Sequence, residues 1–326
     1  MTVDRPRRTI LVTGACGYLG GRICQSISSR KNLALIGTSR RQRPRNWCTG
    51  EYFQFDLGSQ LHEIDGLLNG VDTVVHLAAL DAAGSARDTV QALNVNTGAS
   101  MRLAKAAAAA GVKRFIYMST AHVYGFPLMG LVDERTATRP ANVYAITHRA
   151  AEDFILASSD THEMHRVVLR LSNGIGPPAS PDIVQWDRIG NALCLQAVQS
   201  DRLRLTTSGE QWLNFIGLSD VVAAVLHFAD VSAELIGDGL FNLGGPVSLR
   251  VIDVAKLVAE QAHALFGNHL QILRPDGTTS DPLWYSTEKI KATGFRTTAT
   301  LAAEIRATLT FCAEAKAAGE FLKVSE

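Results

Sequence analysis

The chain has no surplus of either charge: 32 Lys and Arg against 31 Asp and Glu leave a formal net charge of +1 over 326 residues. Proteins that grip a phosphate-rich polymer usually carry a basic excess or stripe, so no nucleic-acid partner is expected. Paired cysteines are missing too. Cys16, Cys24, Cys48, Cys194 and Cys312 are odd in number and scattered, without the C-x-x-C spacing of a zinc or redox site. That suits a reducing cytoplasm better than a disulfide framework. No apolar run approaches the roughly 18 residues of a membrane span. The segment MTVDRPRRTILVTG passes straight into a glycine loop, without the length and flanks of a signal peptide. The expectation is a soluble, cytoplasmic protein with no membrane partner and no metal.

A regular rhythm fills the space those absences leave. Short apolar runs at Thr9 to Thr13, Leu33 to Thr38, Thr73 to Leu77, Arg114 to Ser119 and Val167 to Leu171 read as strands buried on both faces. Helical periodicity lies between them, over Tyr18 to Ser29, Asp88 to Ala110 and Asn142 to Ser158. Strand and helix alternating at this spacing predict an α/β fold, a Rossmann-type doubly wound parallel sheet with right-handed crossovers. After Asn173 the rhythm breaks at Pro177, Pro178 and Pro181. The expected division is therefore a dinucleotide-binding domain over 1–172, rejoined by 218–245 through a strand at Leu240 to Leu243. A smaller substrate lobe takes 173–217 and 246–326.

Gly14, Gly17 and Gly20 stand at the first strand-to-helix junction, in Thr13-Gly14-Ala15-Cys16-Gly17-Tyr18-Leu19-Gly20. Glycines there permit a tight turn, close backbone approach to a pyrophosphate, and a helix start whose free N–H groups face the phosphates. The spacing is G-x-x-G-x-x-G. The second strand ends in Thr38-Ser39-Arg40-Arg41, with no carboxylate for a ribose 2′-hydroxyl and two guanidinium groups able to take a 2′-phosphate. NADP is favoured, with NAD as the alternative, and either arginine could take the phosphate.

The ordered set of the glycine loop, Asp56-Leu57, His76-Leu77-Ala78-Ala79, Asn94-Val95-Asn96, Ser119-Thr120 with Val123-Tyr124-Gly125, Tyr144, and Arg170-Leu171-Ser172-Asn173 before Gly176-Pro177 resembles the extended short-chain dehydrogenase/reductases. These are the epimerase, dehydratase and ketoreductase group. The resemblance implies a homodimer and a nicotinamide cofactor. Its cofactor-binding residues would be Gly14, Gly17, Tyr18, Leu19, Gly20, Arg40, Asp56, Leu57, Leu77, Ala78, Ala79, Asn94, Tyr144 and His148. Asp56 would contact adenine, Ala78 would line the nicotinamide side, and Asn94 would support the pocket. His76, among apolar neighbours, reads as a packed structural residue.

The same resemblance implies a catalytic set of Thr120, Tyr144 and His148. Thr120 would fix the substrate oxygen and Tyr144 would transfer its proton. Family members carry a lysine four residues after the tyrosine; this chain has His148, on the same helix face. Free tyrosine titrates near pH 10, so a nearby cation normally assists it, and an imidazole with a pKa near 6.5 does so only when protonated.

In nucleotide-sugar members an arginine that clamps the diphosphate falls where this chain has Leu213, with Arg188, Arg202 or Arg204 as possible substitutes. Trp186 and Trp212 offer apolar contact to a smaller substrate, or are plain core. His162-Glu163-Met164-His165 lacks the H-E-x-x-H spacing of a zinc site and reads as a surface turn. The expected substrate is a small carbonyl or sugar-like molecule. NAD(P)-dependent hydride transfer at a carbonyl or secondary alcohol stands first, a nucleotide-sugar epimerase or dehydratase with tightly held NAD second, and a non-catalytic NADP-binding regulator third.

Overall fold

The computed structural model describes residues 8–43, 49–59, 64–157, 164–183 and 186–320. It divides into two compact units, one of Met1–Phe126, Ala137–Arg170 and Ala224–Phe241, the other of Pro127–Thr136, Leu171–Ala223 and Asn242–Glu326.

The first unit is built on a seven-stranded sheet. Its strands are β1 (Arg8–Thr13), β2 (Leu33–Ser39), β3 (Glu51–Gln54), β4 (Thr73–His76), β5 (Arg114–Thr120), β6 (His165–Leu171) and β7 (Leu240–Leu243). Their order across the sheet is β7-β6-β5-β4-β1-β2-β3. Strand β1 lies parallel to both β2 and β4, and β4 parallel to β5. The chain winds outward from β1 to β3, then returns to start β4 on the other side. The strand order therefore reverses between β1 and β4, where sheets of this type open a crevice at their carboxyl ends. Thr13 and His76, the last residues of β1 and β4, stand level with each other and with Tyr117 inside β5.

Helices α1 (Tyr18–Ser28), α2 (Ser100–Ala109) and α3 (Val143–Ala157) accompany this sheet. The core joins Leu11, Val74, Phe115 and Val168 of the strands to Leu103, Ala104, Ala107, Ala151 and Ile155 of α2 and α3. The alanine tract thus supplies small buried contacts as well as helix propensity.

Two features depart from expectation. The span 88–110 is not one α-helix: a short α-turn Thr89–Ala92 leads into a π-helix Leu93–Ala99, and only then into α2. Strand β3 went unread because it is an edge strand with three exposed residues of four, so no apolar run marks it. Only its pairing with β2 defines it.

In the second unit a three-stranded sheet of Asn173–Ile175, Trp212–Gly217 and Ser248–Arg250 meets helices Ile189–Gln199, Val251–Phe266 and Leu301–Ala317 over one apolar cluster. Among the described residues no helix is long and apolar enough to cross a membrane.

Candidate active site

The glycine loop leaves the end of β1 and closes on itself. Gly14 has φ +69°, a conformation that L side chains rarely adopt, and its carbonyl accepts the Gly17 N–H at 2.8 Å. A Cβ at position 20 would lie 2.1 Å from that same carbonyl oxygen, so only glycine lets α1 start this close to the strand. Helix α1 carries no side-chain cap and no acidic residue in its first turn, which leaves its N–H groups and positive dipole end for an anion. The loop thus fits a dinucleotide pyrophosphate.

His76 locks the neighbouring strand ends. Ser100 Oγ donates to the Asn96 carbonyl at 2.6 Å, so it accepts from His76 Nε2–H at 2.8 Å. His76 Nδ1 then accepts from Thr13 Oγ1 at 2.7 Å, and that oxygen also takes the N–H groups of Leu77 and Ala78 at 3.2 Å. Every proton is accounted for with the imidazole neutral. Burial, aided by the nearby His148, pushes its pKa down to about 3, consistent with that structural role.

The two asparagines of the Asn94-Val95-Asn96 segment are placed differently. Asn94 is exposed on the π-helix, whereas Asn96 is fully buried. Asn96 Oδ1 accepts the Leu80 N–H at 2.7 Å, and its Nδ2 donates to Ser85 Oγ at 3.3 Å and Thr147 Oγ1 at 3.1 Å. The physical reason is the wider π-turn, which shifts the buried face relative to a regular helix. Asp56 spends one oxygen on the Gly58 N–H at 2.9 Å, as a turn residue does, and Leu57 sits in the core. Tyr18 is buried and Leu19 partly so, while Ala79 is partly buried beside the strand end. Arg40 and Arg41 are exposed.

Among the candidate catalytic residues, Thr120 closes β5 and its Oγ1 accepts the His122 N–H at 3.2 Å, capping a short 3-10 turn. That turn sets the exposed His122 edge-on to Tyr144, with ring centroids 6.4 Å apart. Tyr144 is half-exposed near the start of α3, and His148 packs against it at 4.1 Å. Tyr144 and His148 therefore come together, His122 faces Tyr144, and Thr120 caps the turn that carries His122. The sequence offered no sign of His122 beyond its place in the segment between Thr120 and Tyr124.

His148 is buried, and its Nδ1 lies 2.8 Å from the Tyr144 carbonyl. A carbonyl only accepts, so the proton is on Nδ1 and the neutral ring presents Nε2 as an acceptor. Burial drives its pKa down to about 4, the bond to the Tyr144 carbonyl opposing and His122 reinforcing the shift. At neutral pH it is no cation. It cannot hold the phenolate of Tyr144 by charge as a lysine does.

Beneath these residues lies a buried ion pair. Arg170 donates to Glu152 Oε2 from Nη2 at 2.7 Å and to both carboxylate oxygens from Nε, and Ser119 Oγ donates to Glu152 Oε1. Arg170 also covers the Tyr124 ring at 4.7 Å, which gives Tyr124 a structural place. Burial alone would lower the Arg170 pKa, but the bonds to Glu152 outweigh it and the net shift is upward.

In the second unit Leu213, partly buried, packs against the apolar cluster opposite Leu249. Trp186 is also core, stacked on Phe311. Arg202 and Arg204 lie exposed on a short strand, and Arg188 precedes helix Ile189–Gln199. His162 and Glu163 lie outside the described residues, among which no group of three possible metal ligands occurs.

A doubly wound sheet with a glycine loop at its first turn, a Thr at the end of β5 and a Tyr and a His on the first turns of α3 defines a dinucleotide-fold enzyme. The chain belongs to the NAD dependent epimerase/dehydratase family, whose model matches residues 10–244. It is an enzyme of the NAD(P)-dependent reductase, dehydrogenase or epimerase type. It is 27% identical over 271 residues to the uncharacterized UDP-glucose epimerase YtcB of Bacillus subtilis (strain 168), covering 77% of this chain and 81% of that one. It is 28% identical over 269 residues to the dTDP-D-glucose 4,6-dehydratase of Mus musculus, covering 76% and 71%. Among solved structures, MoeE5 in complex with UDP-glucose and NAD superposes with a TM-score of 0.77 at 24% identity, over 94% of this chain and 99% of that one. The UDP-glucose 4-epimerase of Thermotoga maritima with UDP-glucose gives 0.79 at 19% identity, with the same coverage. Such likeness establishes the fold.

Proposed function

We propose that the protein carries out NAD(P)-dependent hydride-transfer chemistry at a secondary alcohol or carbonyl carbon of a sugar-like substrate. The observation that carries this reading is the packing of Tyr144 and His148 on α3 against His122, whose turn Thr120 caps at the carboxyl end of β5. Gly14, Gly17, Tyr18, Leu19 and Gly20 would hold the pyrophosphate; Asp56 and the backbone at Leu57 would meet the adenine side. Leu77, Ala78 and Ala79 would line the nicotinamide side, with Asn96 holding their turn. When bound, the nicotinamide accepts or donates a hydride at the carbon bearing the reacting oxygen. Thr120 fixes that oxygen by hydrogen bonding. Tyr144 gives it a proton, or takes one, as the carbon–oxygen bond changes order. His148 keeps Tyr144 in place through its main-chain carbonyl and offers Nε2 to a ribose hydroxyl.

The names of the curated relatives favour a nucleotide sugar, epimerised or dehydrated through a transient ketone. A leucine at position 213 favours instead a less anionic carbonyl compound, since no guanidinium stands there to meet a diphosphate. Incubation with UDP-glucose, and analysis of the cofactor that copurifies, separates the two. Tightly held NAD with conversion of UDP-glucose supports the epimerase or dehydratase. Exchangeable NADPH, consumed with a simple ketone, supports the reductase. Bound cofactor with no turnover of any carbonyl or sugar probe would point to a regulator.

NADP is the favoured cofactor, because Arg40 and Arg41 end β2 where an acidic residue would select NAD. Arg40→Ala is expected to erode the preference for NADP by about 1–3 kcal/mol, the scale of a charge-assisted hydrogen bond. Calorimetric titration of both nucleotides checks it, and equal affinities in the unmutated protein would count against it.

A homodimer is also expected. Val90 and Leu93, at 69% and 54% exposure, and Ile146 and Phe154, at 51% and 49%, leave large apolar groups in water on the 89–99 segment and on α3. These two elements pack on one another through Asn96 and Thr147. Paired about a two-fold axis they would bury that surface as four helices. Light scattering at micromolar concentration should report a dimer, and Phe154→Glu should shift it toward monomer; a monomeric parent rules the idea out.

A further inference from the structure

The segment that ends β2 is held by three successive carbonyls. Ser39 O accepts the Phe55 N–H at 2.9 Å, Arg40 O accepts from Gln54 Nε2 at 2.9 Å, and Arg41 O accepts from the Tyr52 hydroxyl at 2.5 Å. All three donors lie on or just after β3. The Arg41 N–H returns to Ser39 Oγ at 3.3 Å. Backbone held at three consecutive carbonyls has little freedom, so the points from which both arginine side chains leave the chain are set. Neither guanidinium is committed to an ion pair among the described residues.

The strap reaches the glycine loop as well. Tyr52 has one hydroxyl proton and spends it on Arg41 O, and the Cys16 thiol lies 3.1 Å from the Tyr52 oxygen and within reach of the Gln42 carbonyl at 3.8 Å. Residue 37 must be small for this arrangement. A Cβ on Gly37 would lie 3.4 Å from the Tyr52 ring and 3.2 Å from Ala15 Cβ. The Tyr52 ring thereby crosses β2 and connects the pyrophosphate loop to the arginine segment. Burial, reinforced by Cys16, raises the Tyr52 pKa, so the hydroxyl keeps its proton across the working range.

We propose that Tyr52 and Gln54 are positioning residues for cofactor choice: they hold Arg40 and Arg41 where a 2′-phosphate is met, and so set the preference for the phosphorylated dinucleotide. This rests on the reading that the end of β2 receives the adenosine ribose. Neither residue touches the phosphate. Their effect passes through the arginines and is specific to NADP.

The test is isothermal titration of NADP and NAD to the full chain, to Tyr52→Phe and Gln54→Ala, and to both again in an Arg40→Ala/Arg41→Ala background. Tyr52→Phe keeps the ring over Gly37 and Gln54 is exposed, so both variants retain the fold, checked by thermal unfolding. Each is expected to weaken NADP by about three- to tenfold, the scale of one hydrogen bond, and to leave NAD nearly unchanged. In the arginine-free background neither should weaken NADP further. Equal weakening of both nucleotides, or an undiminished NADP preference in both strap variants, overturns the inference while leaving the parent reading intact. A parent chain that binds the two nucleotides equally removes that reading itself.

Discussion

Replacing Tyr144 by phenylalanine is expected to lower kcat by about two to four orders of magnitude, the usual range for a positioned acid or base, with cofactor affinity nearly unchanged. The substitution keeps the ring packed on His148 and removes only the transferable proton. His148→Ala should cost less, about tenfold, because it removes the bond to the Tyr144 carbonyl and no reacting group. Since His148 is already neutral above about pH 4, this variant should leave the shape of the kcat/KM profile between about pH 5 and 9 unchanged. Steady-state kinetics with UDP-glucose as first probe, or with any substrate that turns over, reads all three quantities. Full activity in Tyr144→Phe would move the reacting centre elsewhere. Loss of an acid limb in His148→Ala would restore the imidazolium as the missing cation, and a gain of activity in His148→Lys would show that the site lacks one.

Glu152→Ala should destabilise the protein by about 3–5 kcal/mol, the cost of leaving a buried partner charge uncompensated. Glu152 and Arg170 are both fully buried, and the carboxylate also takes the Ser119 hydroxyl beside Thr120. Losing it strands the guanidinium against the Tyr124 ring and frees the strand end that holds Thr120. Replacing both partners by apolar residues of similar volume should cost much less, because no charge is then left buried alone. Denaturant unfolding of the single and double variants measures the difference; a single-variant loss below about 1 kcal/mol would show that water or another group compensates the arginine.

The parts legible in advance share one property: they rest on local pattern. The runs that became β1, β2, β4, β5 and β6 are apolar because both faces of a central parallel strand are covered, and such burial leaves its mark in composition. The glycine loop was legible for a related reason, since Gly20 is dictated by a backbone approach within a few residues. Strand β3 left no mark, because an exposed edge strand needs neither apolar residues nor alternation. Asn94 and Asn96 could not be told apart, because a π-turn changes helix phase without changing composition.

By itself the amino-acid sequence determined the doubly wound α/β architecture and the glycine loop, both set by short-range spacing and burial on repeating elements. Thr120 and Tyr144 were singled out through the family resemblance and are proposed as the reacting pair. Tertiary structure alone decided the charge and the company of the reacting groups. The neutral state of His148 follows from burial against Tyr144 and Tyr117, and the edge-on position of His122 from a capped turn at the end of β5. Likewise, Tyr52 and Arg41 meet through the pairing of two neighbouring strands. Desolvation and hydrogen-bond direction depend on which groups the fold brings within a few ångströms of one another, and residues 11 or 36 apart in the chain carry no sign of that meeting.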